Sequence, residues 1–238
     1  IKVLNNIKVT QLNSVKNSVK ARLELPDGNY EEKSYSKAIV AIGIDANIDN
    51  LGINTVNISI KNNQIVTNAF GQTSETGIYA IGDITGAPWL AHKASHEAIR
   101  CVDNIINASN TSNYRNNVIP SCIYSRPQVA SVGFTEEIAK EKKLEYKIGK
   151  FPLIGNGKAL AIGDNSGFVK TIFNAKSGEL LGAHMVGPDV TELVSIFSLA
   201  IKLEATELEL INTVFPHPTI SESIHESVLD AFDRAIHI

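Results

Sequence analysis

One histidine in this sequence stands where proton transfer could be carried out. In His217-Pro218-Thr219-Ile220-Ser221-Glu222 an imidazole is followed within one short segment by a carboxylate. An imidazole needs only a small pKa adjustment to act as a base near neutral pH, and a carboxylate on its second ring nitrogen fixes the tautomer and favours the imidazolium. Pro218 stiffens the backbone directly after the base. The segment supplies only a base and its carboxylate, so the chemistry they serve lies elsewhere. The same residues also read as structure: Thr219 to Glu222 has the spacing of a capping box opening the last helix, with Glu222 reaching back to an early N–H. On that reading Glu222 is occupied, at least part of the time, by the helix start.

The other reactive side chains are more dispersed. His92 and His96 share one helix face at i,i+4, but no third ligand accompanies them and the pattern is not His-Glu-x-x-His, so no metal site is expected. His184 lies in an apolar stretch, and His225 and His237 fall in or just after the last helix; these three are expected to be packed, exposed or at a rim. Cys101 and Cys122 are the only cysteines. They lack CxxC spacing and metal-ligand neighbours, which points to reduced thiols in a cytoplasmic protein.

Positioning such residues takes a folded scaffold, and the composition supplies one. The chain has 238 residues, 43% hydrophobic and 20% charged, a globular mixture long enough for one large domain or two ordinary ones. A formal charge of -3 without a basic patch gives no reason to expect a nucleic-acid partner. No signal-peptide pattern opens the chain and no apolar run reaches membrane-spanning length, so no membrane partner is expected. Ile1 stands where an initiator Met would, and ordinary folded-type sequence begins at once, which reads as a chain cut from something longer.

Three stretches differ in pattern. Residues 1–46 read as strands: Ile7-Lys8-Val9-Thr10, then residues 19–25, with Pro26-Asp27-Gly28 as the tight turn, then Ala38-Ile39-Val40-Ala41-Ile42-Gly43 as a strand covered on both faces. In residues 47–113, Gly77-Ile78-Tyr79-Ala80-Ile81-Gly82-Asp83 reads as a buried strand ending in an acid. A helix follows from about Leu90 to Ala108, with Ala94, Ala98, Cys101, Val102 and Ile105 on its apolar side. A carboxylate at a strand's carboxyl end lies where open α/β sheets bind ligands. The polar residues 108–117 read as a linker. Residues 118–238 carry the alternation of an antiparallel sheet with helices on one side: strands near 119–124, 129–133, 147–152, 168–174 and 180–186, and a helix capped by Thr135. Ala175-Lys176-Ser177-Gly178 joins two of the strands as a hairpin. Helices over 191–203 and 206–213 follow, the second opened by the capping box Thr206-Glu207-Leu208-Glu209, and a last helix comes after Ser221.

Thr73, then Ile81-Gly82-Asp83 and Leu90-Ala91-His92-Lys93-Ala94, resembles the second flavin-binding motif of the flavoprotein disulfide reductases. Further segments extend the resemblance over essentially the whole chain, to the dihydrolipoamide dehydrogenase family and to its C-terminal half only. They are Ile119-Pro120-Ser121-Cys122-Ile123-Tyr124, Val129-Ala130-Ser131-Val132-Gly133, Asn156-Gly157-Lys158-Ala159, Gly182-Ala183-His184-Met185-Val186-Gly187-Pro188 and His217-Pro218-Thr219-Ile220-Ser221-Glu222. The glycine-rich flavin loop, the Cys-x4-Cys redox disulfide and the nicotinamide-binding GxGxxG have no counterpart in these residues.

The resemblance implies an α+β fold: an antiparallel sheet with helices, the interface or dimerisation domain, over 114–238, preceded by remnants of α/β dinucleotide-binding domains. Residues 1–46 would be the last strands of the NAD-binding domain and 47–113 the last part of the FAD-binding domain. FAD and NAD would serve the parent enzyme, with no cofactor bound by the isolated chain and no activity of its own. Gly82, Asp83, Leu90, Ala91 and His92 would contact the flavin. The acid would accept from a ribityl hydroxyl, the glycine would allow close approach, and the helix start would stabilise negative charge at the pyrimidine edge. His217, supported by Glu222, would take a proton from the dihydrolipoyl thiol at a site completed across a homodimer interface. Lipoyl domains of 2-oxoacid dehydrogenase or glycine cleavage complexes would be the partners. A related glutathione or mercuric reductase, or a purely structural dimerisation module, is the alternative. The chain departs from the family at Ile44-Asp45-Ala46-Asn47, where an Arg-rich turn is usual, at Phe215-Pro216 before the base, and at Trp89.

Overall fold

Backbone hydrogen bonding sorts the chain into three antiparallel sheets and six α-helices among the residues that the computed structural model describes, 1–106 and 118–237. These residues divide into two units, Ile1–Asn47 and Ile48–Ile238. The 108–117 linker expected from sequence, and the boundary at 113, lie outside the described residues.

In the first unit, β1 (Lys8–Val15), β2 (Ser18–Glu24) and β3 (Tyr30–Tyr35) form a meander in that order. Central β2 alternates, burying Ala21 and Leu23, whereas all eight residues of β1 are exposed. The expected turn joins β2 to β3: Leu25 N–H donates to Asn29 O at 2.8 Å, and Asp27 Oδ1 accepts from Asn29 N–H. The strand expected over 38–43 is absent. Those residues are irregular and exposed, with Ile39 and Ile42 more than nine-tenths accessible, because no described segment supplies the ladder partner that a strand requires.

The second unit begins with the short hairpin β4 (Ile60–Lys61) and β5 (Gln64–Ile65), turned by Asn62 and Asn63, both at positive φ. The strand expected over 77–83 is reduced to one bridge between Gln72 and Tyr79, after which Gly82–Thr85 coils into a 3-10 turn. Gly82 N–H is taken by the Glu97 carboxylate at 2.8 Å, which removes it from any ladder. α1 (Ala91–Ile106) starts where expected, but its packed face is rotated: Lys93 and Cys101 are buried while Val102 and Ile105 are about half exposed. The buried Lys93 ion-pairs with Glu97 at 3.1 Å, so a charged residue takes a place that apolar periodicity assigned to hydrophobic neighbours.

β6 (Ser121–Ile123), β7 (Gln128–Gly133), β8 (Tyr146–Pro152), β9 (Phe168–Asn174) and β10 (Leu180–Gly187) form one antiparallel sheet in the order β6-β7-β10-β9-β8. Between them lie α2 (Glu136–Glu141), capped by Thr135 Oγ1 on Ile138 N–H at 3.2 Å, and the short α3 (Gly157–Ala161). α4 (Val190–Lys202), α5 (Glu207–Asn212) and α6 (Glu222–Asp230) complete the unit. α4 packs on β7 and β10, and α6 on β8 and β9. One core joins them: Val169, Phe173, Met185, Phe197, Ile224 and Val228 are all essentially inaccessible. Each large apolar side chain buried there contributes roughly 1.5–3 kcal/mol. At Gly149 a Cβ would stand 1.7 Å from Ser227 O, so the missing side chain is what lets α6 lie this close to β8. No described helix is long and apolar enough to cross a membrane.

Candidate active site

His217 sits in the loop between α5 and α6, and local hydrogen bonds fix that loop. Thr219 Oγ1 donates to Pro216 O at 2.7 Å, and Thr219 N–H donates to Glu222 Oε2 at 3.0 Å. Asn156, buried at 4% exposure, caps α3 by accepting Ala159 N–H at 2.9 Å. Its amide nitrogen crosses to the loop, donating to Thr219 O at 3.0 Å and Ser223 Oγ at 2.9 Å. The last helix is thereby pinned at its start from a residue far back in the sequence.

On this scaffold His217 Nδ1 lies 3.0 and 3.2 Å from the two Glu222 oxygens. Glu222 reaches back to Thr219 N–H and faces the base, but the expected capping box does not form: the Thr219 hydroxyl bonds Pro216 O, and Ser221 at the N-cap makes no side-chain cap bond. Burial is the largest single influence on the Glu222 carboxyl and pushes its pKa up. The Thr219 N–H, the His217 bond and the charges of His217 and His237 outweigh it, leaving the carboxyl below its ordinary value. An ionised Glu222 favours hydrogen on Nδ1 and leaves Nε2 as the proton acceptor. The His217 side chain is 76% exposed, so solvent screens the pair and its part in stability is small, whereas its orienting effect on the ring remains.

The two residues line a cavity of ≈ 630 Å³ together with His225, Glu226, Ile236 and His237. His225 Nε2 is bonded to Ile211 O at 3.1 Å, as a packed histidine would be. His237 is more than a rim residue: its Nδ1 is 2.7 Å from Glu226 Oε1. The sequence carried a sign of this in the i,i+4 spacing of Glu222 and Glu226, which puts both acids on one helix face.

The residues assigned to a flavin form a second group along one loop and helix start. Asp83 is exposed, and its carboxylate makes no hydrogen bond among the described residues. Gly82 is at φ 75°, where a Cβ would press on Ala94 Cβ at 3.2 Å. Leu90 is half-buried and its carbonyl accepts Ala94 N–H at 3.1 Å, while Ala91 and His92 are exposed at the start of α1. The His92 ring is 2.8 Å from Pro120 O, so its side chain is engaged within the protein and its helix-start N–H is what it could offer a ligand. Thr73 is likewise turned inward, its hydroxyl on Glu75 O and Ile78 O. An exposed acid, a side-chain-free glycine and a helix start whose first N–H groups lack intrahelical acceptors fit a hydroxylated, anionic cofactor. The Lys93 and Glu97 pair clamps this loop at both ends, Glu97 on Gly82 N–H and Lys93 Nζ on Gly86 O at 3.1 Å; the sequence reading had not assigned them a role. None of the five residues lines the His217 cavity. Among the described residues no three His, Cys, Asp or Glu side chains are grouped to hold a metal ion.

Comparison with known proteins gives the family. Residues 1–98 match the pyridine nucleotide-disulphide oxidoreductase family model, and residues 119–228 match the dimerisation domain of that family. The chain is 44% identical over 237 residues to a dihydrolipoyl dehydrogenase of Rhizobium etli, covering 100% of this chain and 49% of the relative. To that of Zymomonas mobilis it is 46% identical, covering 100% and 51%. Among solved structures, LpdA from Mycobacterium tuberculosis superposes with a TM-score of 0.82 at 27% identity over 94% of this chain and 48% of that one. The flavoprotein disulfide reductase RclA from Escherichia coli shares the fold, with a TM-score of 0.83 at 22% identity over 93% and 50%. The chain thus spans about half the length of the curated relatives it matches. With a dimerisation domain carrying a carboxylate-oriented histidine, and the preceding residues matching the oxidoreductase model, the chain belongs to the pyridine nucleotide-disulphide oxidoreductase family.

Proposed function

We propose that the chain works as the C-terminal part of a dihydrolipoyl dehydrogenase, which oxidises protein-bound dihydrolipoamide to lipoamide and passes the electrons to NAD. The observation that carries this is the His217 and Glu222 pair, 3.0 Å apart and open to a cavity. Nε2 of His217 takes the proton of a dihydrolipoyl thiol, and Glu222 holds the ring and offsets the charge it gains. FAD, when bound, would supply the electron relay between disulfide exchange and NAD. For it, Asp83 would accept from a hydroxyl, Gly82 would allow close approach, and the backbone at Leu90, Ala91 and His92 would meet its negative edge. Identities of 44% and 46% to dihydrolipoyl dehydrogenases favour this over a glutathione or mercuric reductase.

On the same reading, residues 1–46 belong to the NAD-binding domain, 47–113 to the FAD-binding domain and 114–238 to the interface domain. The match to a dimerisation domain supports a homodimer, in which one surface serves both partners and the base of one subunit serves the redox centre of the other. Lipoyl domains of 2-oxoacid dehydrogenase or glycine cleavage complexes are the partners this chemistry implies. The two free cysteines suit a reducing, cytoplasmic compartment. The test is His217→Gln in the protein that carries this chain, assayed for NADH formation from dihydrolipoamide. Loss of a general base should slow turnover by about 10²–10⁴-fold with the flavin spectrum unchanged. Turnover close to that of the unaltered protein would overturn the assignment.

A further inference from the structure

The Glu222 and Glu226 carboxylates stand one turn apart on α6, and each faces the Nδ1 of an imidazole that comes from outside the helix. Glu226 is the more deeply placed, 5% exposed, and it is also bonded to the backbone: Ile236 N–H at 3.0 Å and His237 N–H at 3.2 Å donate to its Oε2. One buried carboxylate thus takes up two main-chain N–H groups and a ring nitrogen of the last described residues. Those residues, Ile236 and His237, line the His217 cavity. A buried carboxylate is retained only where such bonds compensate its desolvation.

We propose that Glu226 and His237 form a second carboxylate–imidazole pair, which fastens the C-terminal segment as a wall of the His217 cavity and sets the charge around Glu222. Both are positioning residues, acting on the base through its carboxylate; that consequence rests on the reading of His217 as the base, whereas the fastening does not. His237 is among the charges that hold the Glu222 carboxyl low. The Glu226 carboxyl is held low too: burial, its largest influence, pushes up, and the His237 ring with the two N–H donors outweighs it. The other titratable groups nearby have their own contacts. His225 Nε2 is on Ile211 O, and Asp230 accepts Lys150 N–H. Lys147 lies over the Phe232 ring, Lys170 pairs with Glu136, and Glu209 of α5 serves the Thr206 cap.

The 238-residue chain itself provides the test, by NMR of the Glu222 side-chain carboxyl and of amide exchange, in the unaltered protein and in His237→Gln and Glu226→Gln. In the unaltered chain the Ile236 and His237 amides should exchange at least about tenfold more slowly than in an unstructured peptide. His237→Gln should move the Glu222 titration up, toward the ordinary glutamate value, while Ile236 stays protected. Glu226→Gln should release the two amides. An unmoved Glu222 titration in His237→Gln, or unprotected Ile236 and His237 amides in the unaltered chain, would overturn the proposal. If Glu226→Gln fails to fold, His237→Gln still decides it. Neither readout needs turnover, so a failure here is distinct from a failure of the dihydrolipoamide reading, which the His217→Gln assay reports.

Discussion

Removing the Asn156 amide should destabilise the fold and loosen the base loop together. In Asn156→Ala the N-cap bond to Ala159 N–H is lost, which costs about 0.5–2 kcal/mol at helix starts. Thr219 O and Ser223 Oγ lose their donor at a buried site, where an unsatisfied group costs about 1–3 kcal/mol. The Ser223 hydroxyl can turn to another acceptor, so only the carbonyl carries the full penalty. Because the three bonds share one side chain they do not add independently, and a total of about 2–4 kcal/mol follows. For a unit of this size that corresponds to a fall in Tm of roughly 4–16 °C. Urea unfolding followed by far-UV circular dichroism measures the free energy, and amide exchange at Thr219, whose N–H bonds Glu222, reports the loop. A loss below about 0.5 kcal/mol, the level of an ordinary surface substitution, would refute the reasoning, as would unchanged protection at Thr219.

Gly149→Ala should also destabilise, because its Cβ would lie 1.7 Å from Ser227 O and α6 must move off β8; overpacking of about 1–3 kcal/mol or more should appear in the urea midpoint. Glu222 has a pKa lowered in the folded state, so its contribution to stability is present above the ordinary glutamate pKa and is lost as pH falls through the folded value. The stability difference between the unaltered chain and Glu222→Gln should accordingly be greatest near neutral pH and vanish in acid, whereas a difference independent of pH would contradict the assigned ionisation. Glu97→Ala strands the buried Gly82 N–H and leaves Lys93 without its carboxylate, and should raise Gly82 amide exchange by about tenfold or more; unchanged exchange would show that the clamp does not hold the loop.

Local chemistry made much of residues 118–238 legible in sequence. β9 was read at its observed bounds because β-branched and aromatic residues fill it and a turn segment follows Asn174, and the caps at Thr135 and Thr206 formed because each acceptor lies within four residues of its donor. Glu222 and His217, five residues apart, were likewise within reach of one segment's geometry. What sequence hid were partners joined only by the folded chain: Asn156 with Thr219, 63 residues away, and Glu226 with His237, 11 residues away and beyond the end of its helix. Apolar runs misled where ladder partners decide the outcome, as at 38–43 and 77–83. On α1 the buried face was set by an ion pair, which hydrophobic spacing does not register, and β1, exposed along its whole length, offered no alternation from which its end could be read.

That Glu222 serves the helix start and the imidazole with one carboxylate ties two histories together. An aspartate is one methylene shorter and would be hard pressed to reach Thr219 N–H and His217 Nδ1 at once, while an amide presents only one acceptor oxygen to both. A lineage therefore cannot tune the proton affinity of this histidine by replacing its acid without also altering how the last helix begins. Adjustment is left to the surrounding residues, and variation among natural relatives should concentrate around this pair and spare the pair itself.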